Sequence, residues 1–275
     1  MFRNVVIPLD GSDFSARALP IGVELAAAAN ASVHVIGIAE TDAELAWTHD
    51  HVHDDAKRAG VDVADVEVRV YPDPVQILLE LSDDADNVVC LATHDRIPPA
   101  ARILHAVGAR LLERARRPLV AVGPNASTEG LGSDVVVAVD GVGDAEPLLA
   151  VAAAWALQLH SRVRIATVYE PVPPDLRRPE HFSRRHGPPG DPEVYLSSLR
   201  DRLADVGLNG VDTIAIPDPV SEGAGLEQHL REVPARIIVL GGGHPRTPKL
   251  SGGVARHLLA NATIPLLLVH RSQQS

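Results

Sequence analysis

Short runs of Val and Ile alternate along this chain with longer Ala- and Leu-rich stretches whose apolar residues recur at helical spacing, the pattern of a parallel sheet joined by crossover helices. The runs predict strands near 3–9, 32–39, 65–71, 87–92 and 118–122, and again near 134–139, 162–169, 211–216, 236–241 and 265–269. Helices are predicted near 14–29, 42–59, 74–83 and 102–116, then near 144–159, 193–206, 222–232 and 252–262. The strands are continuously apolar rather than alternating, so both faces of the sheet must be covered. The pattern therefore reads as α/β, with doubly wound, mostly parallel sheets of five strands each.

The pattern is also written twice. Val5-Val6-Ile7-Pro8-Leu9-Asp10-Gly11 returns as Val135-Val136-Val137-Ala138-Val139-Asp140-Gly141, and Ser32 through Glu40 returns as Arg162 through Glu170, both at an offset of about 130 residues. Tyr71-Pro72-Asp73-Pro74-Val75 matches Ile216-Pro217-Asp218-Pro219-Val220, and Asn87 through Leu91 matches Arg236 through Leu240. Pro118 through Val122 then matches Pro265 through Val269. A repeat of that length is a whole domain. Residues 1–124 form the first, 125–133 a Ser-, Gly- and Thr-rich linker, and 134–275 the second. The stretch 171–192, rich in Pro, Arg and Gly without helical period, is expected to be an exposed, mobile loop.

Composition narrows the function. A formal net charge of −11 repels polyanions over much of the surface, so nucleic acid is not the expected partner. No apolar run approaches the roughly 20 residues needed to span a bilayer, and the chain starts directly into a strand, so a cytoplasmic protein without a membrane partner is expected. Cys90, the one cysteine, falls in a strand and reads as a small core residue.

In an open parallel sheet, ligands bind beyond the carboxyl ends of the strands, where strand order reverses. The tip of the first strand, Pro8-Leu9-Asp10-Gly11-Ser12, places there a carboxylate able to accept hydrogen bonds from ribose hydroxyls. The competing reading is that Asp10 or Ser12 caps the following helix. Asp140-Gly141 repeats the arrangement without the serine. A phosphate site asks for glycines after the fourth strand and a helix N-terminus aimed at the anion. The second half supplies Gly241-Gly242-Gly243-His244 and then Ser251-Gly252-Gly253, whereas the first supplies Ala92-Thr93-His94-Asp95 and His105-Ala106-Val107-Gly108. Asp95 and His105 would intrude where phosphates need bare backbone, so the second half is the one expected to hold an anion, a small one in preference to ATP.

Together, the opening strand ending in Pro-Leu-Asp-Gly-Ser, the Gly-rich turn after the fourth strand and the final helix running into Pro-Leu-Leu-Leu-Val resemble the universal stress protein family, in tandem form over essentially the whole chain. The resemblance implies Rossmann-like domains of the nucleotide-binding α-hydrolase-like kind and a role in stress responses. It also implies an ATP or AMP cofactor, whose adenine end would lie against Pro8, Leu9, Asp10 and Ile38 in the first half and against Val139, Asp140 and Val168 in the second. ATP-binding members carry Gly, two residues, Gly, nine residues, then Gly followed by Ser or Thr. Ala92, Asp95, His105 and Ala106 stand at those four anchors in the first half. The second keeps Gly241 and Gly252 but has His244 and Gly253 at the others, with a connection shorter by two residues. The second-half phosphate candidates are thus Gly241, Gly242, Gly243, Gly252 and Gly253.

The resemblance also implies pairing through the last strands, so the halves are expected to pack as a pseudo-dimer, with a homodimer as a further assembly. Any protein partner is left unidentified. No nucleophile, base and orienting carboxylate fall at a recognisable spacing, and a regulatory, non-catalytic protein with degenerate nucleotide sites is expected. The alternative is a nucleotide sensor using mainly the second half. One motif stands apart: His49-Asp50-His51-Val52-His53-Asp54-Asp55, with His49 and His53 on one helical face. Its ordinary reading is a solvated polar face, and no metal site is assigned from the sequence.

Overall fold

The computed structural model of the chain describes residues 1–93, 110–111, 114–172, 186–242 and 253–270. The first half contributes strands β1 (Asn4–Leu9), β2 (Ser32–Ala39), β3 (Val66–Val70), β4 (Asn87–Ala92) and β5 (Leu119–Val122). Its helices are α1 (Ala18–Ala29), α2 (Asp42–Arg58) and α3 (Pro74–Asp83), with helical residues again at Arg110, Leu111 and Arg114. The second half contributes β6 (Asp134–Ala138), β7 (Arg162–Tyr169), β8 (Asp212–Pro217), β9 (Ala235–Gly242) and β10 (Leu266–His270). Helices α4 (Glu146–Gln158), α5 (Pro192–Asp205), α6 (Glu222–Glu232) and α7 (Gly253–Asn261) run between them.

Local chemistry sets the helix starts. Asp73 caps α3 by accepting from the N–H groups of Val75 and Gln76, Asp191 caps α5 through Glu193 N–H, and Ser221 caps α6 through Ala224 N–H. Pro74 and Pro192 then occupy the first helical turn, where a missing N–H costs nothing. The first predicted helix differs from expectation: a 3-10 turn at Ser15–Arg17 precedes α1, because the Ser12 hydroxyl accepts from Ser15 N–H and tightens the entry.

The strands join into one ten-stranded sheet in the order β3-β2-β1-β4-β5-β10-β9-β6-β7-β8. Within each half every pairing is parallel, and β10 meets β5 antiparallel, Leu267 opposite Val120. The order reads the same from either end, as a twofold axis normal to the sheet would produce. Alternate residues of each strand face opposite cores. Val5, Ile7, Leu9 and Cys90 join Val135, Val137 and Ile237 on one face, beneath α1, α2, α4 and α5. Val6, Val89 and Leu91 join Val136, Ile238 and Leu240 on the other, beneath α3, α6 and α7. Each core thus runs through both halves, and each buried Leu or Ile within it stabilises by roughly 1.5–3 kcal/mol. Sheet order reverses between β1 and β4, and between β6 and β9, which places two crevices at the strand carboxyl ends.

Candidate functional site

The two crevices have become unlike. In the first half, Pro8, Leu9, Asp10 and Ile38 are all buried, and Asp10 is only 3% exposed. Its carboxylate accepts from Ser12 N–H at 3.1 Å and from the Ser12 hydroxyl at 2.5 Å, while Ser15 bonds its backbone N–H at 3.1 Å. Gly11 turns at φ +75°, and the Trp47 ring from α2 lies against it so closely that a Cβ there would sit 2.7 Å from the indole. The side chain expected to greet a ribose is turned inward and held there, under an aromatic lid. Asp95, His105 and Gly108 lie outside the described residues.

In the second half, Val142 and Ala145 stand where Ser12 and Ser15 stand in the first. Without those hydroxyls Asp140 stays exposed, accepting from the N–H groups of Val142 at 3.0 Å and Gly143 at 3.3 Å. Beside it opens a cavity of about 200 Å³, floored by the tips of β6, β7 and β9 and walled by the first turns of α6 and α7. It brings together Val139, Asp140, Val168, Gly241 and Gly253, with Leu148, Leu226 and Leu240 among its other apolar walls. Gly242 follows Gly241 at the end of β9, and Gly253 opens α7. Gly243, His244, Ser251 and Gly252 lie outside the described residues.

Three residues of this crevice escaped the sequence reading. Glu222, in the first turn of α6, lines the cavity, and its carboxyl is held above the ordinary carboxylate range by burial, with Asp140 pushing the same way and His186 opposing. Asp218, just before α6, accepts from Val220 N–H at 2.7 Å and Ser221 N–H at 2.8 Å, which holds its carboxyl below the ordinary range. His186 donates from Nε2 to the Asp218 carbonyl at 2.7 Å. Of the loop expected over 171–192, residues 173–185 lie outside the described residues. Its end folds back on the strand tips: Glu170 N–H reaches His186 O at 3.3 Å, Pro188 is buried, and a Cβ on Gly141 would lie 2.4 Å from Pro188 Cα. The sequence did hold one signal, since Asp218-Pro219 aligns with the helix cap Asp73-Pro74 and so places Glu222 on a first turn.

Chemically, the cavity offers an apolar slot, two carboxylates as hydrogen-bond acceptors and a glycine at a helix N-terminus. Among the described residues no group of three or more His, Cys, Asp or Glu converges to hold a metal ion, and no helix is long and apolar enough to cross a membrane.

Two Rossmann-like domains of order 3-2-1-4-5, fused through their last strands and carrying crevices at their switch points, define a class that the sequence comparison makes specific. The universal stress protein family model matches residues 1–123 and again 133–270, and the chain belongs to the universal stress protein family as a tandem member. No curated protein matches the sequence. Among solved structures, a universal stress protein from Archaeoglobus fulgidus DSM 4304 is similar over 98% of this chain and 99% of its own, with a TM-score of 0.61 at 15% identity. A protein assigned to the universal stress proteins from Pseudomonas aeruginosa UCBPP-PA14 is similar over 98% of this chain and 93% of its own, with a TM-score of 0.56 at 15% identity. The cytoplasmic domain of a prokaryotic cation chloride cotransporter is similar over 98% and 95%, with a TM-score of 0.50 at 14% identity. Likeness at these identities is likeness of fold, and the site has to speak for function.

Proposed function

We propose that this universal stress protein is a non-catalytic regulator of stress responses in the cytoplasm that senses an adenine nucleotide through its second half, the first half having given up its site. The observation that carries this reading is the contrast between the two Asp-Gly turns. Asp10 is buried and bonded to Ser12, whereas Asp140 stands at the wall of a cavity of about 200 Å³. In that cavity the base would lie between Val139, Val168 and Leu226, and Asp140 and Glu222 would accept from ribose hydroxyls or the exocyclic amine. The phosphate would face Gly241 and the first N–H groups of α7. A monophosphate such as AMP suits the site better than ATP, because two carboxylates already share the crevice and a triphosphate adds more charge.

Calorimetry with AMP, ATP and phosphate tests the reading. Asp140→Ala is expected to weaken AMP binding at least about tenfold, as loss of a hydrogen bond to a charged group does, while Asp10→Ala leaves it unchanged. Among the described residues a Cβ on Gly253 meets nothing within 4 Å, and Gly253→Asp sets a carboxylate at the proposed phosphate position, where it should abolish binding. AMP binding that is indifferent to both Asp140→Ala and Gly253→Asp rejects the site. Mass spectrometry of whatever small molecule leaves the denatured protein identifies the natural occupant.

A further inference from the structure

The motif on α2 that the crevices do not use has a structure of its own. His49 and His53 stack with ring centroids 4.0 Å apart and planes tilted by 30°. His53 Nδ1 lies 2.9 Å from the His49 carbonyl oxygen, and His49 Nδ1 lies 3.3 Å from the Asp50 carboxylate. A carbonyl can only accept, so His53 Nδ1 is the donor, and the carboxylate imposes the same tautomer on His49. In both neutral rings Nε2 is then the nitrogen that carries the lone pair. A metal-ligating histidine is oriented in the same way, its other N–H donated to a carboxylate or a backbone carbonyl. The sequence places two imidazoles on one helical face; the structure adds the outer hydrogen bonds that fix their tautomers.

We propose that His49 and His53 form a divalent transition-metal site on the surface of α2, ligating through Nε2 from adjacent turns. The two rings lie on adjacent turns with centroids 4.0 Å apart, and in the proposed site both present Nε2 to one ion. Imidazole ligands select Cu²⁺, Ni²⁺ or Zn²⁺ over the oxygen-seeking Mg²⁺ and Ca²⁺, with Cu²⁺ held most tightly. Asp50 and Asp54, both exposed, add negative charge beside the site. Since no third ligand of this kind converges among the described residues, water completes the coordination, and the affinity lies below that of a closed four-ligand centre.

The test uses the full chain, stripped with chelator and titrated with Cu²⁺ alone, following heat by calorimetry and nitrogen ligation by electron paramagnetic resonance. His49→Gln and His53→Gln are each expected to weaken binding at least about tenfold, the loss that even an outer hydrogen-bond partner causes. His51→Gln, whose ring stacks on Trp47 instead, leaves binding unchanged. Asp50→Asn weakens it by a smaller factor. Because the pair exists only in the folded helix, Cu²⁺ should raise the Tm of the wild type and not that of the His49 or His53 variants. The proposal is overturned if the wild type takes up no Cu²⁺ into a nitrogen-ligated site, if both single variants bind as the wild type does, or if His51→Gln loses as much affinity as His49→Gln.

Discussion

Glu222 and His229, both on α6 and about two turns apart, carry opposite titration signatures. Glu222 is raised chiefly by burial and further by Asp140. Wherever it is ionised it adds a second negative charge to the cavity, and that charge opposes an anionic ligand. Glu222→Gln should therefore tighten phosphate and AMP binding several-fold, and the wild type should approach the variant as acid protonates Glu222; isothermal titration across pH checks both. His229 is lowered from 6.5 chiefly by burial, with Arg164 adding to the shift and Glu232 opposing it. It is 9% exposed, and its Nε2 is buried with no hydrogen-bond partner among the described residues. The sign follows directly: below 6.5 the unfolded chain binds a proton that the folded chain refuses, so stability falls with pH by up to about 1.4 kcal/mol per unit. His229→Leu removes that loss and an unsatisfied polar atom, and should stabilise by about 1 kcal/mol at neutral pH. Denaturant unfolding at pH 5 and pH 7 should show a smaller difference in the variant than in the wild type.

At the scale of elements, the caps of two corresponding helices separate stability from binding. Asp73 and Ser221 start corresponding helices, α3 and α6, each by satisfying N–H groups of the first turn. Losing either cap should cost about 1 kcal/mol. Only the first turn of α6 carries Glu222 into the described cavity. Asp73→Ala is thus expected to lower Tm with AMP affinity unchanged, and Ser221→Ala to lower both, in parallel thermal melts and titrations. The element boundaries were legible at this scale: the sequence predicts 32–39, 74–83, 87–92, 162–169 and 222–232, and the structure has the same spans. Caps and β-branched runs act locally, so a local reading finds them. The 3-10 turns at Ser15–Arg17 and Val63–Asp65 were not legible, because they depend on where a neighbouring hydroxyl or carboxylate happens to point.

The whole molecule is held by more than the β5–β10 seam. Phe2, 8% exposed, packs on Trp155 of α4 with centroids 4.9 Å apart, and the Gln158 side chain bonds both the N–H and the carbonyl of Phe2. Arg236 of β9 reaches Glu24 of α1 at 3.5 Å. With both cores continuous across the halves, the chain should unfold in one transition, by calorimetry, rather than half by half. Residues 134–275 expressed alone would expose the apolar edge Leu266-Leu267-Leu268 and are expected to dimerise or aggregate. Light scattering that finds this half monomeric and soluble would contradict the prediction.

The sequence alone determined the duplication, the α/β class, most of the described strand and helix spans, and the two Asp-Gly turns at the switch points, because each is written in local periodicity and in repeated order; the predicted helix 102–116 falls mostly outside the described residues. It also held the difference between the halves, as Ser12 and Ser15 against Val142 and Ala145. Reading that difference required knowing that the hydroxyls point back at Asp10. Only tertiary structure decided that Asp10 is buried and Asp140 is not, that Trp47 closes one turn while Pro188 returns over the other, and that Glu222 and His186 meet at the second crevice. These contacts join residues distant along the chain, and their energies depend on burial and on neighbouring charge, quantities that exist only once the chain has folded.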